Sequence, residues 1–530
     1  MTKNIKYLLL LSLTIVACTK DEVDVVAVTP EVPIIAGTAN FSKFVSLGNS
    51  LTAGFSDNAL FKKGQEGSYA NLMAEQFKLA GGGMFKIPFM NDNRGGLLFG
   101  GAPNPAFAPR ITITGVVNNN PNIGLAYPFG TQTTETANNI FVAQGPFNNM
   151  GVPGAKSFHL LAPGYGSFSG LLSTPPTANP YFVRFSSSST ASVLSDAMAQ
   201  APTFFSLWIG NNDVLGYALA GGVTTSQDPI KGGDITPSAG APGVGFDASY
   251  TFLVNTLISG GAKGVVANIP YVTTIPQFTT VPTNPIPLDA ATATQLNTGL
   301  LGPVDAILTA LGQPDRLVIL KAGTSNPLLI IDETLTNFSA QISGALQANG
   351  VSVPQATLMG NLYGQARHAR NDISAPNNRD YVLLTTRGII SPPNNLQTGV
   401  PAPFNTRGVT YPLQDAAVLT ADEALQIKIA TDAYNVTIKS LADSKGLAFV
   451  DANALLSRVA SGGIRFGQYH LSASYVVGGA FSYDGVHPAP QGYALIANEF
   501  LKAINLKYGS TFRGYDITNF PIQHPAVLPN

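Results

Sequence analysis

The chain is short of the residues that would make its fold or its chemistry obvious. It has one cysteine, Cys18, and one tryptophan, Trp208, in 530 residues. A single cysteine cannot close an internal disulfide, so no covalent staple sets the fold. Charged residues make up only 11% of the chain, and the formal net charge is −1 with no basic patch. That composition argues against nucleic acid as a partner. Beyond the amino terminus no apolar run reaches membrane-spanning length. Glycine and proline are plentiful, at 54 and 38, but gather in loops without a repeat, which excludes collagen-like and solenoid architectures. His159, His368, His470 and His524 show no metal-ligand spacing, so neither a metal nor a cofactor is expected.

The amino terminus is the one place where composition points to a compartment. Lys3 and Lys6 precede an apolar stretch from Tyr7 to Val16 that is too short to span a bilayer. Residues 1–17 are expected to be a signal peptide. Ile15-Val16-Ala17-Cys18 resembles the bacterial lipobox, in which the signal is cut before the cysteine and the cysteine is lipidated. Cys18 is therefore the expected lipid anchor, and the membrane a partner through it. Lys20-Asp21-Glu22 is similar to the acidic signal that sends some Gram-negative lipoproteins to the outer cell surface, which implies an exported, outer-membrane protein. Residues 18–40 are expected to form an extended tether, and 510–530 a carboxy-terminal tail.

In the rest of the chain, short apolar strands alternate with helical periods. Strands are expected at Phe44–Leu47, Thr203–Ile209, Gly264–Ile269, Arg316–Leu320 and Leu447–Val450. Helices are expected at Ser68–Leu79, Ser249–Ile258, Thr334–Gln347, Ala421–Ala442 and Pro488–Leu506. Such alternation implies an α/β fold, a parallel sheet covered on both faces. Two long interruptions, about 81–149 and 270–412, are expected to be lids, substrate walls or plain insertions.

Four segments carry candidate chemistry. GNSLTAG places Ser50 where a strand breaks into a glycine-flanked turn. GVPGAKS contains Gly154, WIGNNDVLG contains Asn212, and FSYDGVHPAPQGY contains Asp484 and His487. Singly, each is also an ordinary turn or helix cap. Together they fill the roles that ester hydrolysis needs. Ser50 is the candidate nucleophile. Of the five histidines only His487 has a carboxylate three residues upstream in a turn, so Asp484 can hold Nδ1 while Nε2 faces Ser50. The oxyanion donors would be the N–H of Ser50, the N–H of Gly154 and the side-chain amide of Asn212.

In that order the segments resemble the blocks of the SGNH (GDSL-type) hydrolase family, over about 41–509 with the interruptions unmatched. GNSL stands for the first block with Asn49 where the family usually has aspartate, GVPGA for the second, GNND for the third and DGVHP for the last. The resemblance implies a flavodoxin-like three-layer α/β/α sandwich around a parallel sheet. It also implies an esterase, lipase, thioesterase or carbohydrate deacetylase that uses Ser50, Gly154, Asn212, Asp484 and His487. The expected substrate is an acyl ester, a lipid or short ester first and an acetylated glycan second. The alternative from another class is a non-catalytic lipoprotein that binds glycan or lipid.

Overall fold

The computed structural model describes residues 33–117, 120–128, 145–224, 233–372 and 378–529. The expected signal peptide, Cys18 and most of the tether lie outside the described residues. Five parallel strands carry the fold. They are β1 (Phe44–Gly48), β2 (Asn149–Gly151), β3 (Phe204–Trp208), β4 (Lys263–Ala267) and β5 (Ala448–Val450). Their order across the sheet is β2-β1-β3-β4-β5. Every pairing is parallel. β1 and β3 pair from Phe44 opposite Phe204 to Gly48 opposite Trp208. Both are buried along their whole length. That is why they read as mostly apolar runs and not as alternating ones; the one serine in each, Ser46 and Ser206, pairs with the other at 2.6 Å.

Seven helices position the site: α1 (Ser50–Ala53), α2 (Tyr69–Lys78), α3 (Asn212–Leu219), α4 (Phe246–Ile258), α5 (Ala421–Ser444), α6 (Ala452–Ser461) and α7 (Pro490–Tyr508). Five of them pack in two groups, α2 with α7, and α3 and α4 with α5. Aromatic rings join the first group to the sheet. Phe500 lies 4.7 Å from Tyr69 and 5.8 Å from Trp208. In the second group Phe246 stacks on Tyr434 at 4.0 Å. The expected α/β architecture with a central parallel sheet is present. Truncating a fully buried ring such as Phe204 to alanine is expected to cost about 3–5 kcal/mol.

Two expectations differ from what is observed. Arg316–Leu320 is not a strand. Beyond one backbone bond, from His368 N–H to the Arg316 carbonyl at 2.8 Å, side chains take the place of a ladder: Val318 N–H donates to His368 Nδ1 at 3.0 Å and Leu320 N–H to Asn297 Oδ1 at 2.9 Å. The helix expected from Thr334 starts only at Ser339, because Asp332 accepts from Thr334 and holds a turn there. Residues at the end of the expected tether and in the expected tail make contacts with the rest of the described chain. Thr38 N–H donates to the Tyr508 carbonyl at 2.8 Å, Phe41 and Phe512 sit in the core, and Ile34–Asn530 forms one compact unit. The second interruption has an apolar cluster of its own, built around Val304, Leu308, Ile342, Met359 and Tyr363. Among the described residues, no helix is long and apolar enough to cross a membrane.

Candidate active site

Ser50 sits two residues beyond Gly48, the last residue of β1, on the first residue of a four-residue helix. Asn49 shapes this turn twice over. Its Oδ1 accepts from Leu51 N–H at 3.0 Å, and its Nδ2 donates to Asn211 Oδ1 at 3.1 Å. An aspartate here could cap the helix but could not donate to Asn211. The amide thus ties the loop after β1 to the loop after β3.

His487 comes from the turn before α7, at the other end of the sequence. Its Nε2 lies 2.9 Å from Ser50 Oγ and its Nδ1 lies 2.8 Å from Asp484 Oδ2. The Phe55 ring packs against the imidazole, with centroids 4.6 Å apart. Ser50 is buried to 7% exposure, and the side chains of His487 and Asp484 are 15% and 7% exposed. All three are largely shielded yet in hydrogen-bonding contact, the arrangement of a nucleophile, a base and a group that orients the base.

Asp484 is held as a carboxylate. Its Oδ1 accepts from the N–H groups of Val486 and His487 at 2.9 and 2.8 Å and from Ser482 Oγ at 3.0 Å. Its Oδ2 accepts from Asn58 N–H at 2.9 Å as well as facing the imidazole. Burial alone would push this acid up. The imidazole and the converging N–H donors outweigh that and hold its carboxyl below the usual range.

The donor from Asn58 depends on a tight turn that the sequence analysis did not single out. Ser56 and Ala59 exchange both backbone hydrogen bonds, and Asp57 and Asn58 between them adopt φ of 51° and 61°. Asp and Asn tolerate that left-handed backbone better than most residues, so the Asp-Asn pair is itself the turn signal. Asp57 is fully buried, 3.5 Å from Arg110. Burial and the neighbouring Asp484 charge raise its carboxyl to about 7, against the opposing pull of Arg110. Ser482 Oγ links the two acids, accepting from Asp57 N–H at 3.0 Å and donating to Asp484.

Asn212 is linked to the turn that holds Gly154 through Ala155. Val152-Pro153-Gly154-Ala155 is a turn closed by Ala155 N–H to the Val152 carbonyl at 3.0 Å, with Gly154 at φ 82°. Proline followed by a left-handed glycine is what a type II turn requires. Asn212 Nδ2 donates to the Ala155 carbonyl at 2.9 Å. One of its two amide hydrogens is spent there, which leaves the other for a ligand. Asn212 lines the same cavity as Ser50 and His487; Gly154 is not part of that lining.

The cavity measures about 110 Å³ and its remaining walls are mostly apolar, including Trp208, Leu215, Ile275, Leu455, Val459 and Leu495. Trp208 therefore does more than pack, although its Nε1 is also tied to the Asn268 carbonyl at 3.0 Å. Most of these walls come from the sheet core, α3, α6 and α7. The long interruptions contribute only the stretch around Pro270 to Ile275. The helix α6, which supplies Leu455 and Val459, has no counterpart in the sequence reading. Asp451 caps it by accepting from Ala454 N–H at 2.9 Å, and that aspartate was its legible start signal.

Comparison with family models, with curated proteins and with solved structures yields no match for this chain.

Proposed function

We propose that the protein is a serine hydrolase of carboxylic acyl esters, of the SGNH type on a flavodoxin-like sandwich. The observation that carries this is the relay Asp484–His487–Ser50, in which a 2.8 Å contact within one turn is followed by a 2.9 Å contact between residues 437 positions apart. The strand order, with numbering in chain order, is the 2-1-3-4-5 of doubly wound flavodoxin-like sheets. Ser50 and Asn212 follow the carboxyl ends of β1 and β3, where the order reverses and such sheets bind ligands.

In this reading Ser50 Oγ attacks the ester carbonyl while His487 Nε2 takes its proton. Asp484 keeps the imidazole oriented and stabilises the imidazolium. The developing oxyanion is met by the N–H of Ser50 and by the free amide hydrogen of Asn212, with the N–H of Gly154, outside the cavity lining, kept as the third donor on the resemblance alone. His487 then protonates the leaving alcohol, and water, activated by the same imidazole, releases the acid. An apolar cavity of about 150 Å³ can hold a benzene molecule. The 110 Å³ cavity beside Ser50 therefore suits an acyl group of a few carbons. The apolar walls favour this over an acetylated glycan. We extend the proposal to an exported lipoprotein anchored through Cys18, on the lipobox resemblance alone.

The test is hydrolysis of nitrophenyl esters of increasing chain length by the full chain in mild detergent, beside Ser50→Ala. Ser50-dependent turnover with a preference for short chains is the expected result. No turnover of any ester by the folded protein overturns the esterase reading.

A further inference from the structure

We propose that Glu333, Asp415 and Glu423 form a binding site for a calcium-like divalent cation, at the seam where the second interruption rejoins the sheet core. The three residues come from separate segments. Glu333 follows a short strand inside the interruption (Leu329–Ile331), Asp415 opens a turn just after it, and Glu423 lies in the first turn of α5. One carboxylate oxygen from each lies within 4.8 Å of the others. Two oxygens on opposite sides of a calcium ion, each at about 2.4 Å, are about 4.8 Å apart, whereas magnesium draws them to about 4.2 Å. An all-oxygen, all-carboxylate donor set is that of a hard cation.

The second observation is what burial has left unpaired. Glu423 is only 3% exposed. Its Oε2 is fully engaged at the helix start, accepting from Thr420 N–H at 2.7 Å and Thr420 Oγ1 at 2.8 Å. Its Oε1 is buried with no hydrogen-bond partner, and so is Asp415 Oδ1. Native folds rarely leave buried acceptors orphaned, and two beside a third carboxylate call for a positive charge. The acids alongside do have one: Arg367 contacts both Asp332 and Asp380 at 2.6 Å. Among the described residues no ion pair supplies a base to Glu333, Asp415 or Glu423. Burial and mutual repulsion raise Asp415 to about 7 and Glu423 to about 8.

The backbone makes room for this arrangement. A Cβ on Gly222, which has φ +86°, would lie 1.7 Å from Glu423 Oε1, and one on Gly221 would lie 2.4 Å from the Asp415 carbonyl. This glycine pair follows α3, the helix that begins at Asn212 in the active site. Eight residues of helix, about 12 Å, separate the two ends. A cation here would pin α5, the interruption and the end of α3 together. It would act on stability and not on the chemical step, so its test is independent of the esterase reading.

The experiment is calorimetric titration of calcium chloride into the chelator-stripped full chain, with thermal unfolding at each calcium level. Saturable binding of one ion, a Tm that rises by several degrees, and weaker binding of magnesium are expected. Glu333 is exposed, so Glu333→Gln should fold normally and bind calcium at least tenfold more weakly. Glu423→Gln should abolish binding. A wild-type protein with no saturable binding and no Tm change overturns the proposal. So does binding that Glu333→Gln and Glu423→Gln leave unchanged.

Discussion

Two buried acids in this molecule, Asp484 and Glu423, show how much the donors around a carboxylate decide. Both lie in the turn before a helix or in its first turn, and both are shielded from solvent. Asp484 accepts three backbone N–H groups, one hydroxyl and the imidazole, and its carboxyl is held below the usual range. Glu423 has one oxygen satisfied by Thr420 and the other orphaned, and its carboxyl is raised to about 8. Burial is common to both, so it cannot be the cause of the difference. A carboxylate with every lone pair served is a permanent anion, fit to orient an imidazole. One that is half served needs a proton or a cation.

The largest test of this comparison removes the relay. Ser50→Ala and His487→Ala should each lower kcat by roughly 10⁴-fold or more, and Asp484→Ala by less. Asp484→Asn should keep the fold but leave the imidazole in the wrong tautomer, also costing less than loss of Ser50. Single-turnover kinetics on a short ester checks the ranking. Equal loss in all three alanine variants would show that the orienting anion is indispensable.

A smaller effect is expected from the cavity wall. Leu455→Trp should fill the space beside Ser50 and shift preference to the shortest acyl group. Each excluded methylene should be worth about 10-fold in kcat/KM or more. A chain-length profile identical to the wild type would place the acyl group elsewhere.

The smallest effects are on stability, and their signs oppose one another. Burial lowers His159 and His368 to about 4 and His524 to about 3. These rings are neutral when folded, but in the unfolded chain they take up protons below about pH 6.5. Stability should therefore fall as pH drops from about 6.5 towards 4. The depressed Asp484 adds a further loss below the carboxylate range. Asp57, raised to about 7, acts the other way: its contribution is lost as pH rises through 7. The stability of Asp57→Asn relative to the wild type should therefore improve between pH 5 and pH 8. Denaturant midpoints at the two pH values check this, and a difference that does not change with pH would mean Asp57 is already ionised at pH 5.

Much of the candidate site was legible because it is local. Asp484 and His487 are three residues apart in one turn, and Ser50 follows an apolar strand within a glycine-flanked loop. The strands at 44–48, 204–208 and 263–267 were legible because burial makes them mostly apolar, with only Ser46, Ser206 and Lys263 as polar members. Arg316–Leu320 looked the same, since Leu317 and Leu320 are buried, yet it makes one backbone bond, from His368 N–H to the Arg316 carbonyl, and its own N–H groups at 318 and 320 go to side-chain acceptors. Apolar character reports burial and does not name the hydrogen-bond partner.

The sequence by itself determined the residue types, the turns that present them and the alternation of strand and helix, because each depends on contacts a few positions long. Only the tertiary structure decided that His487 reaches Ser50, that Asn58 N–H reaches Asp484, and that carboxylates at positions 333, 415 and 423 converge. Those meetings are set by the order of strands in the sheet and by where the interruption folds back on it. No local pattern encodes the distance between residues that are far apart in the chain.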